Sequence, residues 1–189
     1  GIQAFQYHLT NFFLHTFNAI LVAWLVFLLS RKGWMGIVCG LLFALHPLHT
    51  EAIEWVSARK DLLSTFFFLL TIIGYVYWKD RDDRRIYVAS LIAFTLGLLS
   101  KVMVITLPVV LLLVDYLNRH FDRATCGSPL QNFWRLLKEK IPYIALAGLF
   151  GVIGIFGKTG VIQSSTLSGK ILMACKSAVF YLQQIFFPM

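Results

Sequence analysis

Long apolar runs alternate with short polar and charged stretches along the whole chain. Seven such runs stand out, at 10–29, 34–45, 62–78, 86–99, 102–117, 142–156 and 171–187. Each exceeds the usual length of a strand, and none shows the period-two alternation of a barrel. Helices are then the way to satisfy the backbone inside lipid. The pattern predicts an all-α polytopic membrane protein with about seven transmembrane or half-embedded helices. The run 34–45 is short enough to be half-embedded or tilted. Only Ser100 and Lys101 separate 86–99 from 102–117, which predicts a tight hairpin, and Lys176 interrupts the last run. No fixed-period repeat or flexible linker divides the chain, so residues 1–189 read as a single transmembrane domain. The longest hydrophilic segment, 118–140, carries Phe133, Trp134 and Leu137 at a spacing that predicts a short interfacial helix. The polar-aromatic opening at Gly1 and the apolar close at Met189 read as the ends of a fragment, without a signal peptide.

Composition strengthens the membrane reading. Hydrophobic residues make up 58% and charged residues 14%, and the mean hydropathy is +0.74, above the range of soluble domains. Lys and Arg fall unevenly between alternate loops. One set holds eleven: Arg31, Lys32, Lys79, Arg81, Arg84, Arg85, Arg119, Arg123, Arg135, Lys138 and Lys140. The other holds five: Arg59, Lys60, Lys101, Lys158 and Lys170. The richer set is expected in the cytoplasm, which makes 118–140 a cytoplasmic loop and sends 46–61 to the periplasm or lumen, in a bacterial inner membrane or the endoplasmic reticulum. The net charge of +8 is then accounted for by topology and anionic lipid, and no nucleic-acid partner is implied. Cys39, Cys126 and Cys175 have no ligand or redox spacing, so neither a disulfide nor a zinc finger is expected.

The segment 46–61 concentrates the chemistry. Pro47 should end the second helix after His46. His49 follows, Thr50 can cap a short helix, and Glu51, Glu54 and Trp55 occupy its first turns. These groups could be ordinary helix-end residues, a proton relay or cation site, or the lining of a functional pocket. His46, His49 and Glu51 do not fit the His-Glu-x-x-His zinc geometry, and a proline interrupts them, so no metal site is assigned. Arg59, Lys60 and Asp61 lie at the start of the next helix. An Arg beside a Lys suits a phosphate, with the helix N-terminus adding its dipole, although both could equally snorkel to lipid head groups. Lys101 adds a further positive charge at the same side, with Glu51, Glu54 or a substrate phosphate as its expected partner. Asp115 can pair with Arg119 four residues on. In the first run His8, Asn11, His15 and Asn18 recur at helical spacing as a polar stripe, suited to hydrogen bonds between helices, with His8 and Asn11 beside the charged cluster.

In order along the chain, "YHLTNFFLHTFNA", "ALHPLHTEAIEWVSARKDLLSTFF" and "LGLLSKVMVITLPVVLLLVDYL" closely resemble the membrane region of the transmembrane and tetratricopeptide-repeat (TMTC-like) proteins and their bacterial relatives. The resemblance extends to "KIPYIAL" and "AVFYLQQIFFP". It implies a GT-C glycosyltransferase, here a partial bundle, that takes a sugar, mannose in the animal members, from a polyprenyl- or dolichyl-phosphate carrier. The acceptor it implies is a Ser or Thr of an extracytoplasmic protein. The resemblance places the family's acidic catalytic pair in a large outer loop upstream of Gly1, and its repeats downstream, so this piece alone is expected to be inactive. Where the family commonly shows Lys-Glu, this chain has Lys101 and Val102.

On that reading Arg59, Lys60 and Lys101 bind the carrier phosphate, and His46, His49, Glu51, Glu54, Asp61, His8 and Asn11 line or order the pocket. The residues name no cofactor, with a divalent cation left open. The expected partners are membrane lipid, the lipid-linked sugar and an acceptor protein. The competing classes are a secondary transporter or ion pathway, which lacks matching broken helices in two halves, and a non-catalytic anchor for a repeat scaffold.

Overall fold

In a computed structural model of the chain, residues 2–47, 58–121, 129–158 and 176 are described. All of the regular structure among them is helical. The elements are α1 (Ile2–Ser30), α2 (Gly33–Leu45), α3 (Arg59–Arg81), α4 (Arg84–Ser100), a 3-10 turn (Val102–Thr106), α5 (Leu107–Phe121) and α6 (Pro129–Lys158). Two helices are long and apolar enough to cross a bilayer, at Gln6–Ser30 and Arg59–Arg81, and shorter apolar stretches lie at Gly33–Leu45 and Val102–Tyr116. The seventh apolar run, 171–187, and the segment with His49, Glu51 and Glu54 lie outside the described residues. So does Gly1.

Local sequence sets the breaks. α1 stops where Arg31 takes a left-handed conformation, φ 57°, and its N–H still reaches the Phe27 carbonyl at 2.8 Å. Pro47 holds His46 extended (φ −68°, ψ 126°) and ends α2, as the sequence predicts. α3 ends at Asp82, also left-handed, with its N–H on the Trp78 carbonyl at 2.8 Å. The Asp83 carboxylate then accepts from the Arg85 N–H at 2.9 Å and caps α4.

Two boundaries differ from the sequence expectation. The run 102–117 is not one α-helix. Lys101 is extended, five residues form a 3-10 turn, and the α-helix begins at Leu107, with Pro108 in its first turn, where no backbone donor is lost. The expected interfacial helix around Phe133 and the run 142–156 merge into the single 30-residue α6, which passes through Pro142.

Close approach of backbones builds the bundle. Gly36 and Gly40 of α2 lie against α1, where a Cβ at Gly36 would fall 2.5 Å from the Ala23 carbonyl oxygen and one at Gly40 2.7 Å from the Ala23 Cβ. Such small-residue contacts let helices associate in lipid, where apolar side chains gain little by leaving the acyl chains. The outward face of α2 is correspondingly apolar, with Ile37, Leu41, Leu42 and Leu45 exposed. The shared interior is formed by Ile72, Tyr75 and Val76 of α3, Phe94 and Leu98 of α4, Val104 of the turn, Leu107 and Leu111 of α5, and Tyr143 and Ala147 of α6.

Candidate functional site

The first turns of α1 and α3, the last turn of α2 and the end of α4 gather at one end of the bundle. Three residues of the α1 polar stripe are buried: Asn11, His15 and Asn18. His8, one turn earlier, is exposed. His15 Nε2 donates to the Ala44 carbonyl at 3.2 Å and its ring stacks on Phe43 at 5.5 Å between centroids, tying α1 to the end of α2. Asn18 Nδ2 donates to the Leu62 carbonyl at 3.0 Å, tying α1 to the start of α3. Within the stripe His15 and Asn18 thus make hydrogen bonds between helices, as their spacing suggests.

Above these ties lies the charged cluster. The Arg59 guanidinium sits over the Tyr7 ring, 4.8 Å from its centroid, a cation–π arrangement that holds the side chain toward α1. Its Nε is buried and makes no hydrogen bond to any described residue. Lys60 is exposed, and its carbonyl accepts from Ser100 Oγ at 3.0 Å, which joins the start of α3 to the end of α4. Lys101 Nζ lies 2.6 Å from Asp61 Oδ1. Among the described residues the acid beside Lys101 is therefore Asp61, forty residues earlier in the chain; Glu51 and Glu54, the acids that the sequence suggested, lie outside the described residues. Asp61 is fixed in turn at its backbone, where its carbonyl accepts from Ser64 and Thr65, both at 2.9 Å.

Asp61, Ser64, Thr65 and Phe68 of α3 face Lys101, Met103 and Val104 across an open groove of about 360 Å³. A second groove of about 340 Å³, almost wholly apolar, is lined by Val38, Leu41, Leu42, Leu45, His46 and Pro47, and His46 is its polar residue. Of the sequence candidates, the structure brings together Arg59, Lys60, Asp61 and Lys101, with Asn11 buried and His8 exposed on the neighbouring helix. It places His46 at the end of α2. Two cationic side chains, Arg59 and Lys60, remain without an acidic partner among the described residues, and that leaves the described part of the cluster net positive. Such a surface binds anions, with the Arg fork offering paired donors. Among the described residues no three His, Cys, Asp or Glu converge in a way that would hold a metal ion.

The opposite end of the bundle holds a polar layer that the sequence did not reveal. Asp115 of α5 is buried within it. It pairs with Lys140 and accepts from the Tyr75 hydroxyl at 2.8 Å, while Lys140 Nζ also donates to the Tyr75 oxygen at 2.8 Å. Lys140 is 0% exposed and Asp115 6%. Around this triad, Lys79 pairs with Glu139, the Tyr87 hydroxyl donates to the Glu139 carbonyl at 2.8 Å, and the Tyr143 hydroxyl bonds to Ser90. Arg31 reaches Asp80 at 3.2 Å on the surface. Among the described residues Lys140, Lys79 and Arg31 each have an acid here. The forewarning in the sequence is an acid within an apolar helix, Asp115, whose buried cation Lys140 comes from a different helix.

No family model matches the chain, and no solved structure does. Among curated proteins it is 35% identical over 124 residues to the protein O-mannosyl-transferase Tmtc2 of Drosophila melanogaster, covering 62% of this chain and 13% of that protein. It is 34% identical over 137 residues to Tmtc1 of the same organism, covering 68% and 15%. With TMTC2 of Homo sapiens it shares 36% identity over 76 residues, or 40% and 9%. The chain thus spans well under a fifth of the length of these relatives. Over the matched part of its length it is similar to the TMTC protein O-mannosyl-transferases, in agreement with the motifs of its helix ends.

Proposed function

We infer that this chain forms part of a membrane glycosyltransferase that moves a sugar, mannose by likeness to its relatives, from a polyprenyl- or dolichyl-phosphate carrier to a protein Ser or Thr hydroxyl. In that reaction the hydroxyl oxygen bonds to the anomeric carbon, the bond from that carbon to the phosphate oxygen breaks, and the hydroxyl proton passes to a carboxylate. The carrier leaves as a phosphate that gains negative charge. Preorganised cations at that oxygen lower the barrier. Arg59 and Lys60 take that role. Lys101, steadied by Asp61, faces the groove beside the start of α3, and His46, His49, Glu51 and Glu54 are the residues that the sequence assigns to lining the pocket. The carboxylate base belongs to the acidic pair that the resemblance places upstream of Gly1.

The reading includes the full topology of about seven spans in a GT-C-like arrangement. The Arg59 end faces the periplasm or lumen, and the Lys140 end faces the cytoplasm. Supporting it is one observation above the rest: at the start of α3, Arg59 and Lys60, with no acidic partner among the described residues, directly precede Asp61, which pairs with Lys101 across an open groove, and a net positive cluster of this kind suits an anionic, lipid-linked donor. Charge reversal, Arg59→Glu, is expected to abolish binding of the lipid-linked phosphosugar while the helical content is kept. Unchanged binding would remove the assignment.

A further inference from the structure

The face that α6 turns to the bundle changes character along its length. Lys140, Tyr143, Ala147, Gly151 and Gly154 recur at intervals of three and four, so they form one stripe. At its first end the contacts are polar and directional: Lys140 to Asp115 and Tyr75, and Tyr143 to Ser90. At its far end they are close and apolar. A Cβ at Gly151 would lie 2.8 Å from Ile105 Cδ1, and one at Gly154 3.3 Å from Val102 Cγ1. Both partners belong to the 3-10 turn that follows Lys101 directly. The two ends of the stripe are about 21 Å apart at 1.5 Å per residue.

Smooth glycine contacts in lipid gain little from sliding or rotating one way rather than another, because the acyl chains are as apolar as the side chains. Hydrogen bonds of fixed direction to a buried ammonium do discriminate, since any other register leaves the ion unpaired. We propose that the Lys140–Asp115–Tyr75 triad is a latch that sets the register of α6 and, through Gly151 and Gly154, positions the Val102–Thr106 turn and with it Lys101. Lys140 is then a positioning residue for a site at the other end of the bundle. The coupling runs through packed groups along this stripe to the turn, which is packed on its other side by Val104 against Gly97, where an added Cβ would lie 3.2 Å from Val104 Cγ1. The relevance to catalysis rests on the reading of Lys101 given above; the register of α6 does not.

The test is disulfide formation in the membrane-inserted protein with Cys39, Cys126 and Cys175 replaced by Ser. The pair V102C/G154C reports the α6 register, and A23C/G40C reports the α1–α2 contact as a control. With Lys140 present both pairs should close under mild oxidation. K140A should slow closure of the 102–154 pair at least tenfold and leave the control unchanged, and the neutral pair K140Q/D115N, which retains a hydrogen bond, should restore it. An unchanged 102–154 rate in K140A, with the control pair closing normally, overturns the latch. Where K140A disables both pairs, K140Q/D115N decides: recovery of both upholds the latch, and continued failure of the 102–154 pair overturns it. Binding of a lipid-linked phosphosugar, measured on the same variants, separates the two readings. A register change that leaves binding untouched upholds the latch and counts against Lys101 as a phosphate ligand.

Discussion

Replacing Lys140 by Ala tests the energetics of the buried polar layer. Lys140 has no solvent exposure and contacts both Asp115 and the Tyr75 hydroxyl. The truncation leaves a carboxylate at 6% exposure with one neutral donor, Tyr75 at 2.8 Å. Removing one partner of a buried ion pair costs about 3–5 kcal/mol, because the remaining charge is desolvated and unpaired. The retained Tyr75 bond places this case near the low end, at about 3 kcal/mol, which is roughly a hundredfold in the folded-to-unfolded ratio. The double change K140M/D115L removes both charges and leaves only the neutral Tyr75 hydroxyl without a partner, so it should be more stable than K140A, in which a carboxylate is left unpaired. Both values can be read from reversible denaturation in mixed detergent micelles, followed by tryptophan fluorescence and circular dichroism. If K140A and K140M/D115L are equally stable, the cost of an unpaired Asp115 is absent and the argument from burial fails.

Other outcomes follow from the same contacts. Gly40→Leu places a side chain where a Cβ alone would be 2.7 Å from the Ala23 Cβ, and overpacking of this kind should destabilise by about 1–3 kcal/mol and lower cross-linking between α1 and α2. Asn18→Leu removes the bond to the Leu62 carbonyl; its cost should be about 0.6 kcal/mol, typical of hydrogen bonds between membrane helices, and a loss above several kcal/mol would contradict that role. Asp61→Asn dissolves the pair with Lys101. Since both side chains are partly exposed, stability should change by about 1 kcal/mol or less, whereas affinity for an anionic lipid phosphate should rise as Lys101 is released, and a fall in affinity would contradict it.

The helical class and most boundaries were legible in the sequence because apolar run length, Pro47 and the Asp83 cap act locally. His15 and Asn18 were legible as a stripe for the same reason, since helical periodicity shows which side chains share a face. What escaped was long-range pairing. Lys101 and Asp61 are forty residues apart, and Asp115 and Lys140 twenty-five; local spacing offered Arg119, four residues from Asp115, as a simpler partner. The 3-10 turn was missed because Val102 to Thr106 is as apolar as the helix that follows it. Its geometry depends on an extended Lys101 and on contacts from Gly97, Gly151 and Gly154 that lie elsewhere in the chain.

Equilibrium binding of a polyprenyl-phosphate mannose to the membrane protein tests the proposed anion site at the Arg59 end most directly. The comparison is between Arg59→Gln and Arg31→Gln, which removes an equal charge from the opposite end of the bundle, where Arg31 pairs with Asp80 on the surface. Loss of a charge-assisted phosphate contact of about 1.5–3 kcal/mol predicts that Arg59→Gln weakens binding by about tenfold or more, with Arg31→Gln close to the parent. Equal affinities for the two variants would contradict the placement of the donor phosphate.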